Sequence, residues 1–351
     1  MHVLILTACL IAAPGNCAPR LLPATAGPDA ETCRMQADSA AAAWIAAHPG
    51  LTGRDWDCVA LESVPALEVR ELAPGVHVHT GATGPLSPDN RGAIANLGFV
   101  VGTDRVAVID PGGSREQGEA LFAAIRRVSP LPIGPVILTH MHPDHIAGAE
   151  VFAEAGAEIV ADARLPAALD ARRAAWMDSI PAQIGAGPWA GTVLIGPTRI
   201  IDAPTQVDPG GTVLTLTPVP AAHTDTDLTV HDRRSGTLFT GDLVFRGLTP
   251  VVDGSLKGWL AWLAQPPHDA ALVVPGHGPV AASFDEAAAD GNRYLAALRD
   301  AVRAALDAGQ GLSQAVPAIL ADMAAQKDGW ADFEATTARN AAAAYAELEW
   351  D

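Results

Sequence analysis

The sequence predicts an α/β fold, one large domain of alternating strands and helices with a small Cys-bearing α+β module before it and Ala-rich helices after it. Three observations predict this. Short apolar strands alternate with amphipathic helices from about residue 66 onward. All four cysteines of the 351-residue chain, Cys9, Cys17, Cys33 and Cys58, lie in its first 58 residues. After His277 the chain becomes Ala-rich and helical. We divide it into a module at 1–65, a main domain at 66–300 and a helical extension at 301–351, which suits the length.

The N-terminal apolar run, Val3 to Ala13, has two readings. It is too short to cross a bilayer, but it could be the apolar part of a signal peptide. No Lys or Arg precedes it, and Leu6-Thr7-Ala8-Cys9 fits an acylation box with too little apolar chain ahead of it. Alternatively it is a strand carrying Cys9, with a turn at Pro14-Gly15-Asn16 and a return strand from Cys17. An export signal would then lie upstream. Ala30 to His48 reads as a helix stopped by Pro49-Gly50, and Trp56 to Leu61 as a strand holding Cys58. An even number of clustered cysteines predicts local disulfides and an oxidising compartment, periplasmic or secreted, with the pairing open.

In the main domain, Val76–Thr80, Ile94–Val101, Arg105–Asp110 and Val136–Thr139 read as strands. Helices are predicted from Ser114 to Val128, with Ser114 as N-cap, and from Ile146 to Ala155. The Pro/Gly-rich stretch 181–191 reads as a joint between two halves and a candidate flap over a site. Strands follow at Thr212–Val219, Leu228–His231, Thr237–Thr240 and Ala271–Val274, with a helix at Ser255–Ala264. Phe284–Ala308, Ser313–Ala325 and Thr337–Trp350 read as helices.

With 49% hydrophobic residues the chain can build a sizeable core. Its formal net charge of −18 repels phosphate backbones, which argues against nucleic-acid substrates. No segment reads as membrane-spanning.

The chemistry concentrates in Thr139-His140-Met141-His142-Pro143-Asp144-His145. Four metal-ligand types fall within six residues on a loop between a buried strand and a helix. His140 and His142, two apart, share a side in extended chain. A metal ion needs three or four such ligands. As ordinary packing residues, three imidazoles and a carboxylate at a strand end would pack badly and repel when protonated.

HMHPDH resembles the HxHxDH signature of the metallo-β-lactamase superfamily. Pro220–Thr224 with His223, Phe239–Leu243 with Asp242, and Val274–Gly278 with His277 are similar to that family's later segments, in the same order. The resemblance covers about residues 66–300 and implies an αββα sandwich with a metal pair at one edge. It implies that His140, His142 and His223 hold one ion, that Asp144, His145 and His277 hold the other, and that Asp242 bridges them. Nitrogen and oxygen ligands without thiolate suit two zinc ions, with iron or manganese as alternatives. Two such ions about 3.5–4 Å apart would turn a shared water into hydroxide, which attacks a carbonyl. Asp144 would also be catalytic, accepting a hydrogen bond from that hydroxide.

An Asp at position 242 resembles the thioester- and ester-cleaving branch of the family more than the true β-lactamases. The expected substrate is therefore a small ester, thioester or lactone-like molecule. The Cys-bearing module, the segment Gly241–Trp259 and the closing Arg339–Trp350 resemble the SoxH-like quinoprotein relay system zinc metallohydrolases. That implies a link to a PQQ-dependent periplasmic dehydrogenase system. Two other readings stand beside this one. One is an iron-dependent redox enzyme on the same fold; the other is a non-enzymatic accessory protein for a quinoprotein system.

Arg246 and Lys257 follow Asp242 and are candidates for meeting an anionic substrate. His77 and His79, without a third ligand, read as strand side chains. His2, His48, His231 and His268 read as surface or packing residues, and Asn96 and Asp110 as structural.

Overall fold

The computed structural model describes residues 1–265, 267 and 269–350. His268 lies outside the described residues. Three sheets organise the chain. The first, in the order β2-β1-β3, is built from β1 (His2–Leu10), β2 (Ala13–Gly27) and β3 (Leu51–Ala60), with α1 (Ala30–Ala47) packed against it. Of the two readings of the N-terminal run, the strand is the one formed. The turn lies at Ile11-Ala12, so Pro14-Gly15-Asn16 belong to β2 and not to a turn. Cys9 and Cys17 stand opposite one another and are disulfide-bonded, and Cys33 on α1 is bonded to Cys58 on β3.

The seven-stranded sheet uses β4 (Arg70–Ala73), β5 (Val76–His79), β6 (Leu97–Val101), β7 (Val106–Ile109), β8 (Ile133–Ile137), β9 (Ile159–Asp162) and β10 (Arg199–Ile201), in the order β10-β9-β8-β7-β6-β5-β4. Between its strands run α2 (Arg115–Val128), α3 (Pro143–Ile146), α4 (Ala149–Glu154), α5 (Leu165–Ile184) and α6 (Ala186–Trp189). The stretch expected as a Pro/Gly-rich joint is thus helical. Pro181 sits in the last turn of α5, and the chain then re-enters a helix at α6. The five-stranded sheet runs in chain order: β11 (Thr205–Val207), β12 (Leu214–Pro218), β13 (Leu228–Asp232), β14 (Thr237–Phe245) and β15 (Leu272–His277). Helix α7 (Leu256–Leu263) connects the last two strands, and α8 (Phe284–Asp307), α9 (Leu312–Met323) and α10 (Phe333–Leu348) follow.

The layers follow from side-chain alternation. Val76, Val78, Val100, Ile109 and Ile137 of the larger sheet meet Leu214, Leu216, Val230, Phe239 and Val274 of the smaller one in a single apolar layer. Leu121, Phe122 and Phe152 cover the outer face of the larger sheet. Tyr294, Leu298, Val302, Ile319 and Ala344 belong to the cluster that covers the smaller one. The result is an αββα sandwich, as the resemblance implies, with C-terminal helices and a disulfide-bearing N-terminal sheet.

That N-terminal sheet is joined to α2 and α4 by buried charge. Arg115, 1% exposed, donates to Glu119 (2.9 Å), Glu150 (3.1 Å), Glu154 (2.8 Å) and Leu21 O (3.1 Å), and stacks on Trp44 at 4.7 Å. Arg20, fully buried, reaches Glu119 at 3.3 Å and Gly187 O at 2.8 Å. His48, Glu150 and Glu154 approach one another closely enough to suggest a cation site, but the Arg115 guanidinium already bonds both carboxylates.

His48, read as a surface or packing residue, is buried and touches Glu150 through Nε2 at 3.2 Å and Trp44 O through Nδ1 at 2.7 Å. Burial works against its protonation, but Glu150 and the Trp44 carbonyl outweigh it and raise its pKa above the ordinary 6.5. The folded protein therefore binds this proton more tightly than the unfolded chain. Its contribution is complete below about pH 6.5 and is lost as pH rises through the folded value. In chelator, denaturant unfolding at pH 5.5 and pH 8.5 should show a larger loss of stability at high pH for the wild type than for His48→Gln. Equal losses in the two proteins would count against this assignment.

Candidate metal centre

HMHPDH leaves the end of β8, a central strand parallel to both neighbours, β7 and β9. Such strand ends open on a crevice where loop side chains converge. His140 and His142 lie on the connection, and Pro143 starts α3, whose first turn carries Asp144 and His145. His223 comes from the β12–β13 connection, Asp242 from within β14, and His277 from the end of β15. Strands β14 and β15 pair in parallel, with Phe245 opposite His277, so the last two residues arrive side by side.

The structure brings all seven expected residues to one place. Asp242 Oδ2 lies 3.6 Å from His140 Nε2 and 3.4 Å from His223 Nε2, and His223 Nε2 is 3.0 Å from His142 Nδ1. Asp242 Oδ1 lies 3.1 Å from His145 Nε2 and 3.3 Å from His277 Nε2. Asp144 Oδ2 is 3.5 Å from His145 Nε2 and 3.3 Å from His277 Nε2. His140, His142, His223 and Asp242 form one group able to hold a cation, and Asp144, His145 and His277 form a second. The two oxygens of Asp242 face the two groups separately.

Outer contacts aim the rings. His223 Nδ1 donates to Val251 O (2.6 Å) and His277 Nδ1 to Ile94 O (2.9 Å), which leaves each Nε2 facing the cluster. His145 Nδ1 meets Asp110 Oδ2 at 2.7 Å, and His142 Nε2 meets Asp253 Oδ2 at 2.9 Å. Asp110 also accepts from Thr139 N and Oγ1. Asn96 donates to Pro275 O and Gly278 O on either side of His277. Asp110 and Asn96 are thus structural, as read, and what they support is the cluster. Asp253 was missed; no local pattern marks it, because its partners lie 111 and 81 residues away in the chain.

The electrostatics fit a cation pair. Buried His140 Nε2, His145 Nε2 and Asp242 Oδ1 have no hydrogen-bond partner, although each faces the cluster. Buried polar atoms are rarely left so, and lone pairs converging without hydrogen bonds suit a shared cation. Burial, with the charge of His145 adding to it, drives His140 well below the ordinary histidine value. Burial lowers His223 to about 3, against the pull of Asp242. Burial also opposes protonation of His145 and His277, but the carboxylates of Asp242 and Asp144 outweigh it. His145 rises well above its ordinary value and His277 to about 9. Without a cation the carboxylates favour protonated His145 and His277, so a cation bound at the cluster would displace those protons.

A cavity of about 590 Å³ opens on the cluster. His142, Asp144, Asp242 and His277 line it together with apolar Leu86, Trp176, Phe245 and Val252 and the polar Arg172 and Arg339. Arg246 is not among its described lining residues. Its guanidinium is held by Pro279 O, Val280 O and Glu286. Lys257 is not among them either. Among the described residues, the Arg and Lys side chains that line this cavity are Arg172, on α5, and Arg339, on α10.

A family model described as the metallo-beta-lactamase superfamily matches residues 91–277, just over half of the chain. The chain belongs to the metallo-beta-lactamase superfamily. The acyl-coenzyme A thioesterase MBLAC2 of Gallus gallus is 28% identical over 178 residues, 48% of this chain and 61% of that protein. A linear primary-alkylsulfatase of a Pseudomonas strain is 40% identical over 45 residues, 13% of this chain and 8% of that one. The chain thus spans less than two thirds of the curated relatives it matches. Among solved structures, a metallo-beta-lactamase from Pontibacter korlensis aligns with a TM-score of 0.53 and 21% identity, over 65% of this chain and 98% of that one. The sec-alkylsulfatase Pisa1 from Pseudomonas sp. aligns at 0.60 and 16% identity, over 82% of this chain and 54% of that one. At these identities the structural likeness speaks for the fold.

In this superfamily member, backbone approach fixes two glycines of the centre. A Cβ on Gly276 would stand 1.9 Å from Asp242 Oδ1, and one on Gly241, at φ +50°, would stand 2.6 Å from Thr139 Oγ1. Gly276→Ala must therefore push the Asp242 carboxylate out of place. The expected result is at least a tenfold loss of cation affinity, read by competitive zinc titration, with the far-ultraviolet circular dichroism unchanged. Wild-type affinity in this variant would show that Asp242 has room to move.

Proposed function

We propose that this metallo-β-lactamase-fold hydrolase uses two zinc ions to cleave a small thioester or related ester. The carrying observation is the division of seven side chains into two cation-holding groups that share Asp242. His140, His142 and His223 would hold one ion, Asp144, His145 and His277 the other, and Asp242 both. Zinc suits a set of imidazole nitrogens and carboxylate oxygens. Such a pair, when bound, supplies an acidified water and polarises the carbonyl under attack.

The chain's own residues do the rest. His140 and His223, held neutral by burial, keep lone pairs available at neutral pH. Asp144 lines the cavity and is the carboxylate placed to accept a proton or hydrogen bond from the attacking water. Trp176, Phe245 and Val252 offer apolar surface to an acyl group and exclude bulk water around it. The similarity to an acyl-coenzyme A thioesterase supports a thioester ahead of a lactone.

Residence in an oxidising compartment belongs to this reading, supported by the two disulfides. So does a link to a quinoprotein dehydrogenase system, which rests on the SoxH-like resemblance. Two of the three segments that carry it are in contact: Asn340 bonds Pro250 O and Val252 N, and Glu347 bonds Ser255 and Leu256 N. Zinc-loaded protein should be assayed on acyl thioesters, aryl esters, lactones, a β-lactam and an alkyl sulfate. Thioester turnover that a chelator abolishes and zinc restores is expected. Activity indifferent to chelation would end the reading, and turnover of the alkyl sulfate alone would move it to sulfate esters.

A further inference from the structure

The two halves of the centre rest on different supports. Asp110 and Ile94 O hold His145 and His277. His142 and His223 instead lean on one loop after β14: Val251 O accepts from His223, and Asp253 meets His142. Asp253 N also donates to His223 O at 2.9 Å, so one residue touches both histidines.

That loop is held from two sides by elements distant in sequence. From α5, Arg172 bonds both oxygens of Asp253 and lies 6.0 Å from the Trp176 ring, which stands nearly perpendicular to the His142 ring. From α10, fully buried Asn340 donates to Pro250 O (2.6 Å) and accepts from Val252 N (2.9 Å), and is itself fixed by Tyr294 at 2.9 Å. Glu347 on the same helix accepts from Ser255 Oγ and Leu256 N.

We infer that Asp253 is a positioning residue for the cation site of His140, His142 and His223, and that Arg172 and the C-terminal helix brace it so that this site alone depends on them. This rests on the two-cation reading above. A carboxylate on the far nitrogen of a ligating imidazole fixes its orientation and raises its basicity. Loss of such a partner typically costs about 10–100-fold in metal affinity. Asp110 stands in the same relation to the other site, through His145.

The test is competitive zinc titration of the full chain, with cation content per chain by mass spectrometry. Asp253→Asn should keep one tight ion and weaken the other by about 10–100-fold. In a His277→Ala background, which retains the first site, Asp253→Asn should weaken the remaining ion. In a His223→Ala background it should leave the remaining ion unchanged. The cobalt(II) absorption spectrum of the first background should change with Asp253→Asn, a response that general loss of stability would not give. Arg172→Gln, on a side chain 40% exposed, is the milder second variant should Asp253→Asn fail to fold, and it should weaken the same ion by a smaller factor. Two ions of unchanged affinity in Asp253→Asn, or equal weakening in both backgrounds, would overturn the inference alone. A wild-type chain that binds no cation would overturn the functional reading with it.

Discussion

Replacement of Asp242 by Ala should lower hydrolysis by at least about a thousandfold, or about 4 kcal/mol of transition-state stabilisation. The reason is geometric. Its two oxygens face four imidazoles, from three separate chain segments, at 3.1–3.6 Å. It is also 4% exposed, so water cannot take its place cheaply. Without it each group of nitrogens loses its shared carboxylate, and two cations would sit close together with less negative charge between them. Zinc content per chain should fall from two ions to one or none. Circular dichroism should stay near wild type, because shortening the side chain adds no atom against the closely packed Gly276 and Gly241. Two retained ions with activity within tenfold of wild type would refute the bridging role.

Arg115→Ala should cost about 3–5 kcal/mol of unfolding free energy, the range for breaking a buried charge network by removing one partner. Arg115 stands among Glu119, Glu150 and Glu154, all in contact with its guanidinium. Glu119 then keeps only Arg20. Its carboxyl, already pushed upward by burial despite both arginines, would take up a proton more readily still. Urea unfolding at neutral pH measures the loss, and part of it should return at lower pH as the Glu119 carboxyl protonates. A loss below about 1 kcal/mol would mean that water reaches these carboxylates.

The ligands were legible because the chemistry is local in composition: HMHPDH places four of them within six residues, and His223, Asp242 and His277 sit at strand ends with recognisable neighbours. Strand and helix periodicity marked most elements to within a few residues, Ser114 as an N-cap included. Helix α5 was missed because Ala, Arg and Pro181 blur its pattern; its amphipathicity is weak, with few buried positions over twenty residues. Arg172 and Trp176, which line the cavity, went with it. Arg246 and Lys257 were chosen for nearness to Asp242 in the chain, yet Arg246 bonds backbone carbonyls beside β15 and Glu286 instead.

By itself the sequence determined the α/β class, the cysteine-bearing start, the helical end and the seven candidate ligands. The class, the two ends and the four ligands of HMHPDH follow from residue type and short-range spacing; His223, Asp242 and His277 follow from the resemblance of their segments to the family. Tertiary structure alone decided the disulfide pairing and the dependence of His142 and His223 on a loop braced by α5 and α10. These are contacts between residues as many as 111 positions apart, and their energy is realised only when the sheets and helices are already packed. Short-range pattern carries no trace of them.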